Sequence, residues 1–233
     1  GVQTCALPIC GFNIARDITK DIKFNFMLGF DETEVRGIMK AIEIPEEKQN
    51  ELMPVIKENY DGYVFTNKIT SENAENYRVY NSNMTLYFLN LYNEEKEIPE
   101  ELTDTNILSD YSKIEGLMNL CKEEKKIEIL ENIVAGKTVT ATLTEKFNSE
   151  IRFGEDELVS LLYYLGYLTI KDKKLGDLDF IVPNDAIRKG YTDYFLEYIK
   201  RETTLTERID TRQLVKEILL EGKIEAAIET LRK

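Results

Sequence analysis

Histidine is absent from the 233-residue chain. Its absence removes Ser–His and Cys–His nucleophile pairs, imidazole-ligated metals and imidazole proton shuttles together. Cysteine is scarce, with Cys5 and Cys10 near the start and Cys121 alone in the body. So few thiols build no disulfide framework and point to a reducing compartment, with Cys121 an ordinary thiol on a helix. No apolar run approaches the ~20 residues of a membrane helix. There is no internal repeat and no low-complexity tract. Cations are outnumbered, 30 Lys and Arg against 43 Asp and Glu, for a net charge of −13. That field disfavours nonspecific binding to nucleic acid or anionic membrane but leaves room for a local basic patch. What is present, 42% hydrophobic and 31% charged residues, is ordinary for a soluble globular protein of one large or two small domains. The expected location is cytoplasmic.

The organising stretch runs from Glu157 to Tyr191. Leu158, Leu161, Leu162 and Leu165 recur at helical spacing, and Gly166 follows where a left-handed terminus favours a residue without Cβ. Tyr167–Ile170 and Leu178–Val182 read as strands joined by the polar turn Lys171–Asp177. Pro183-Asn184-Asp185 then starts a helix over Ala186–Lys200. Helix, hairpin, helix is the outline of a winged-helix module.

Upstream, residues 1–10 read as the translation of a sequencing-library adaptor, so they are left out of the fold and the chain is expected to be a truncated piece. Asp31 and Glu34 form a capping-box start for a helix to Ile42. A second helix runs from Pro45 towards Tyr60, with Pro54 expected to kink it or end it early. Tyr60–Phe65 reads as a turn feeding a short aromatic strand, with Asp61 bonding within the turn, and Arg78–Tyr80 as a second short strand; Asn81 or Ser82 caps the helix that follows. Asn93–Thr105 is an acidic connector. Helices are expected over Tyr111–Leu120 and Lys122–Val134, and a strand over Thr138–Leu143. Arg212–Leu220 and Lys223–Leu231 suggest a closing helical pair. The fold class is therefore mainly α with small β hairpins, α+β.

Gly136-Lys137-Thr138 ends like a phosphate-binding loop, but Glu131 stands where the first glycine belongs and a charged helix precedes it. A helix C-terminus is the better reading. Asp172-Lys173-Lys174 resembles the D-x-K half of a metal-dependent nuclease motif, but the sequence identifies no further carboxylate and a solvated Lys-rich hairpin tip is the better reading. Lys171, Lys173 and Lys174, with Arg188 and Lys189, form a candidate basic face for nucleic acid or a partner. The helix before the hairpin, Glu155–Leu165, carries no Arg, Lys, Asn or Gln with which to read bases, which favours a protein contact.

Several strings occur in a telling order: Gly11-Phe12-Asn13-Ile14, Met27-Leu28-Gly29-Phe30, Tyr60-Asp61-Gly62-Tyr63, Val79-Tyr80-Asn81, Val159–Thr169 and Ile181-Val182-Pro183-Asn184. Together they resemble the AAA-ATPase-like family of bacterial proteins, whose members commonly end in a PD-(D/E)XK nuclease-like domain. Ser82 departs from the proline that the family often has after Tyr-Asn.

The resemblance implies a helical ATPase-lid region followed by a winged-helix-like module. Residues 11–135 would be the end of the ATPase core and its lid, 136–202 the winged-helix-like module, and 203–233 a helical linker towards a missing C-terminal domain. The family's phosphate-binding loop would lie upstream of Gly11 and the nuclease carboxylates downstream of Lys233. ATP and Mg²⁺ are then cofactors of the intact protein and not of this piece, which is catalytically incompetent. Asn13 and Arg16 would be nucleotide-proximal, and no catalytic or metal-binding residue falls here. The implied partners are the missing ATPase core and C-terminal domain of its own chain, with a separate protein partner possible and nucleic acid left open. The alternatives are a non-enzymatic winged-helix interaction module and a DNA-binding regulator.

Overall fold

The computed structural model describes residues 21–69, 73–102, 111–120, 123–144, 147, 153–174 and 176–202. After a 3-10 helix at Ile22–Met27 come α1 (Glu32–Ala41), α2 (Glu46–Tyr60), a 3-10 turn at Ala74–Tyr77 and α3 (Ser82–Glu95). Helices α4 (Tyr111–Met118) and α5 (Glu123–Val134) lead to strand β1 (Val139–Ala141). Then follow α6 (Glu155–Tyr164), β2 (Thr169–Lys174), β3 (Asp177–Ile181) and α7 (Asp185–Glu202). The three strands form one antiparallel sheet in the order β1-β3-β2. The α+β class expected from the sequence is what the chain adopts.

Local chemistry accounts for the helix ends. Asp31 Oδ1 accepts from the Glu34 N–H at 2.8 Å and Glu34 Oε2 from the Asp31 N–H at 2.9 Å, the reciprocal box anticipated for α1. Asn81 caps α3, its Oδ1 accepting from the Met84 N–H at 3.1 Å. Helix α6 terminates at Gly166, where φ is +81° and the Tyr167 N–H closes on the Leu162 carbonyl at 2.8 Å.

Three expectations are corrected. Helix α2 does not end early at Pro54 but runs on to Tyr60. Pro54 and Asn50, whose carbonyl loses its bond, both lie on the exposed side. Opposite them Leu52, Met53, Ile56 and Tyr60 are buried, and at roughly 1.5–3 kcal/mol each they outweigh the ~3 kcal/mol of an interior proline. The turn at Tyr60–Phe65 is present, but the short strand expected to follow it and the one at Arg78–Tyr80 are only single bridges, Tyr63 to Val79 and Phe30 to Tyr80. The hairpin turn is also shorter than Lys171–Asp177. Lys171–Lys174 belong to β2, and the reversal falls between Lys174 and Asp177, with Gly176 at φ +115°. Strand β2 lies at the sheet edge, where exposed Lys171 and Lys173 are tolerated and discourage pairing with other chains.

Two apolar cores result. One lies among α1, α2 and α3 and is centred on Tyr60, Phe88, Met39 and Leu52, with the Tyr60 and Phe88 rings edge-on at 5.9 Å. The other joins the sheet to α4, α5, α6 and α7 through Phe180, Ile170, Leu162, Ile133 and Tyr191. Ala186 of α7 belongs to the first core, so α7 touches both, and it packs along α2 as well as α5.

Candidate functional site

The turn after α2 is where the two cores meet. Asp61 ends the helix, and Gly62 follows at φ +103°. A Cβ on Gly62 would sit 2.1 Å from the Pro183 carbonyl oxygen, so only glycine fits both the dihedral and the space. Asn184 Nδ2 donates to the Asp61 carbonyl at 3.0 Å while its Oδ1 accepts from the Ile187 N–H at 3.2 Å, capping α7. From the other side the Asn81 N–H donates to the Tyr60 carbonyl at 2.8 Å. The cap residues of α3 and α7 therefore both fasten onto one turn.

Ionisable groups are held there under burial. Tyr63 is 5% exposed; burial pushes its hydroxyl pKa up, and hydrogen bonding with the Asn81 and Asn184 side chains pulls it part of the way back. Asp61 is 6% exposed, and among the described residues its Oδ1 has no hydrogen-bond partner. Burial raises its pKa above the ordinary carboxylate value; the Gly62 N–H, Arg78 and Lys57 oppose that shift, and Glu32 adds to it. Burial likewise raises Tyr80, with the Asp61 and Glu32 carboxylates adding to the shift.

Beside this turn opens a groove of about 330 Å³. Its apolar floor includes Val64, Ile170 and Val182, and its polar rim carries Arg78, Glu75 and Lys171. Arg78 Nη1 reaches Glu75 Oε1 only loosely, at 3.6 Å. Thr169 Oγ1 accepts from the Val64 N–H at 2.8 Å, tying the turn to β2. Lys171 is the unpaired residue of a bulge, since Ile170 faces Phe180 and Asp172 faces Asp179. The extra residue breaks the alternation of β2.

The expected basic face is divided. Lys171 lines the groove, while Lys173 is exposed further along β2, opposite Leu178. Lys174 ends the strand opposite Asp177. Arg188 pairs with Asp185 at 3.3 Å, and its Nη1 lies near Gly136, at the carbonyl end of α5. Lys189 is exposed on α7. Asn13 and Arg16 lie outside the described residues, as do Cys5, Cys10 and Cys121.

Gly136-Lys137-Thr138 makes no phosphate cradle. Gly136 has φ +66°, and the Gly136 and Lys137 N–H groups turn back onto the carbonyls of Ile133 and Asn132. This is the negative end of a helix dipole, where an anion is disfavoured. Nor do the residues beside Asp172 fit a nuclease metal. Asp179 Oδ1 accepts from Thr140 at 2.6 Å and Asp177 Oδ1 from Thr142 at 2.8 Å. Among the described residues no group of three carboxylate or thiol side chains is placed to hold a metal ion.

Sequence reasoning did not connect Arg78 with Lys171, because a groove between remote segments has no local pattern. It did read Asp61 and Asn81 as turn and cap residues, and the Tyr-Asp-Gly-Tyr string marked the turn itself. Chemically, the groove can place two cations and a hydroxyl around a guest seated on an apolar floor. No family model matches this chain, and no curated protein or solved structure matches it. Among the described residues no helix is long and apolar enough to cross a membrane.

Proposed function

We propose that this chain is the lid and winged-helix portion of an AAA-ATPase-like protein, and that it works through contacts with other protein parts instead of carrying out chemistry itself. The observation that carries the reading is the order of elements from α5 to β3. A helix, a short strand, a second helix and a hairpin assemble into a sheet ordered β1-β3-β2. We read that order as a winged helix, which would put α6 in the recognition position and make β2–β3 the wing. Glu155, Asp156 and Glu157 fill the first turn of α6, and the helix carries no cation. Such a surface repels a phosphate backbone and suits a protein neighbour. A second support is the strip Phe26, Met27 and Leu28, which is 46%, 69% and 65% exposed and suits cover by another body.

In the intact protein the lid would pass nucleotide state from the ATPase core to a nuclease-like or partner-binding domain, with ATP and Mg²⁺ held by residues outside this chain. The test measures Mg²⁺-dependent ATP binding by the product of the intact gene beside that of this chain. Binding by the intact protein alone is expected; tight binding by this chain would sink the reading. A DNA-binding regulator instead would show salt-dependent DNA affinity that is lost when Lys173 and Lys174 are changed to Glu.

A further inference from the structure

We infer that the groove between Arg78 and Lys171 binds a small organic anion, a carboxylate or phosphate monoester on a short apolar body. This inference rests on the groove alone and not on the ATPase-like reading. Its volume of about 330 Å³ falls at the lower end of small-molecule sites, roughly 300–1,000 Å³. Val64, Ile170 and Val182 supply an apolar floor. Two cations stand over it, one from the segment after the 3-10 turn and one from β2, in a chain whose net charge is −13.

Each cation is available to a guest. Among the described residues Arg78 forms an ion pair with Glu75 at 3.6 Å, the Glu75 side chain being 81% exposed, and feels the buried Asp61 carboxylate through its charge. An exposed pair of that geometry is worth little, and a desolvated anion competes well for the guanidinium. Lys171, at the bulge, lines the groove and is itself exposed. The Thr169 hydroxyl accepts from Val64, which leaves its own proton to donate. Donors around an apolar floor select a ligand with one anionic head and a short hydrocarbon tail.

The experiment titrates the whole ¹⁵N-labelled chain with n-butyl phosphate, hexanoate and inorganic phosphate while amide shifts are followed. Saturable shifts are expected at Gly62, Val64 and Lys171 with at least one of the two tailed anions. Both binding, or either alone, upholds the site, and the pattern tells a phosphate ligand from a carboxylate one. Arg78→Gln and Lys171→Gln should each weaken binding about tenfold, the loss of one charge-assisted hydrogen bond, without disturbing the rest of the spectrum. Both side chains are on the surface, so the variants keep the fold. No saturable shift at these amides, or affinity unchanged in both variants, would overturn the proposal. So would shifts gathering on Phe24–Leu28 instead, or inorganic phosphate binding as tightly as butyl phosphate.

Discussion

The helical region from α1 to α3 and the sheet region from α4 to α7 are assembled from contacts of different range. In the first, the ends of the elements are fixed by neighbours in sequence: Asp31 with Glu34, and Asn81 with Met84. In the second, the strands are fixed by remote partners: Val139 against Phe180 and Thr140 against Asp179. Local contacts cost little chain entropy to form, whereas the sheet must close long loops before its pairing is rewarded. The turn at Asp61–Tyr63 ties the regions together, and the useful question is whether that tie makes them one cooperative unit.

Removing a core ring from each region should give the largest effects. Phe180 and Phe88 are both fully buried, one in each core. Truncation to alanine should cost about 3–5 kcal/mol in either place. In urea, followed by far-UV circular dichroism and tyrosine fluorescence, both signals should move to lower midpoint together in each variant. If Phe88→Ala melts the helical region while the sheet signal keeps its parent midpoint, the regions are separate units and the comparison becomes a domain boundary.

Gly62→Ala attacks the tie itself. The new Cβ meets the Pro183 oxygen and must also adopt a positive φ. Strain of that kind, added to overpacking, costs on the order of 3 kcal/mol. Because the clash lies between the turn after α2 and the start of α7, the variant should also speed hydrogen exchange at the Ile187 amide, which Asn184 caps. A Gly62→Ala protein with parent stability would mean that the turn moves away freely and does not join the cores.

How legible each feature is in the sequence follows the range of the contacts that fix it, in both regions. The α1 capping box, the Asn81 cap, the glycine ends of α5 and α6 and the start of α7 could all be read from a few adjacent residues. The extent of β2 could not. Lys171–Lys174 look like a turn in isolation and become strand only because β3 offers a ladder and the edge leaves the Lys171 and Lys173 side chains in water. Pro54 misled for a related reason, since the burial opposite it decides whether α2 continues. At the site, Lys171 could be picked out as a cation, and the turn at Asp61–Tyr63 could be picked out as a turn. Their closeness to Arg78 could not, because it depends on how the sheet is brought against the 3-10 turn.

The smallest expected effect concerns the charge left inside the tie. Asp61 has a folded-state pKa above its unfolded value, chiefly through burial, against the pull of Gly62, Arg78 and Lys57. Between those two values the native state binds more protons than the unfolded state, so stability from this group falls as pH rises. Below the unfolded value, near 3.8, both states are protonated and the penalty vanishes; above the folded value it is complete. Asp61→Asn has no charge to bury at any pH. Relative to the parent it should gain on the order of 1 kcal/mol between pH 3.5 and pH 7, the scale of a buried polar group without a partner. Subtracting the two urea-derived stability curves cancels every carboxylate the proteins share. A difference that stays flat, or that turns against the variant as pH rises, would mean Arg78 and Lys57 hold Asp61 as a paired anion, and the two regions would then be tied by an ion cluster and not by caps and a glycine turn.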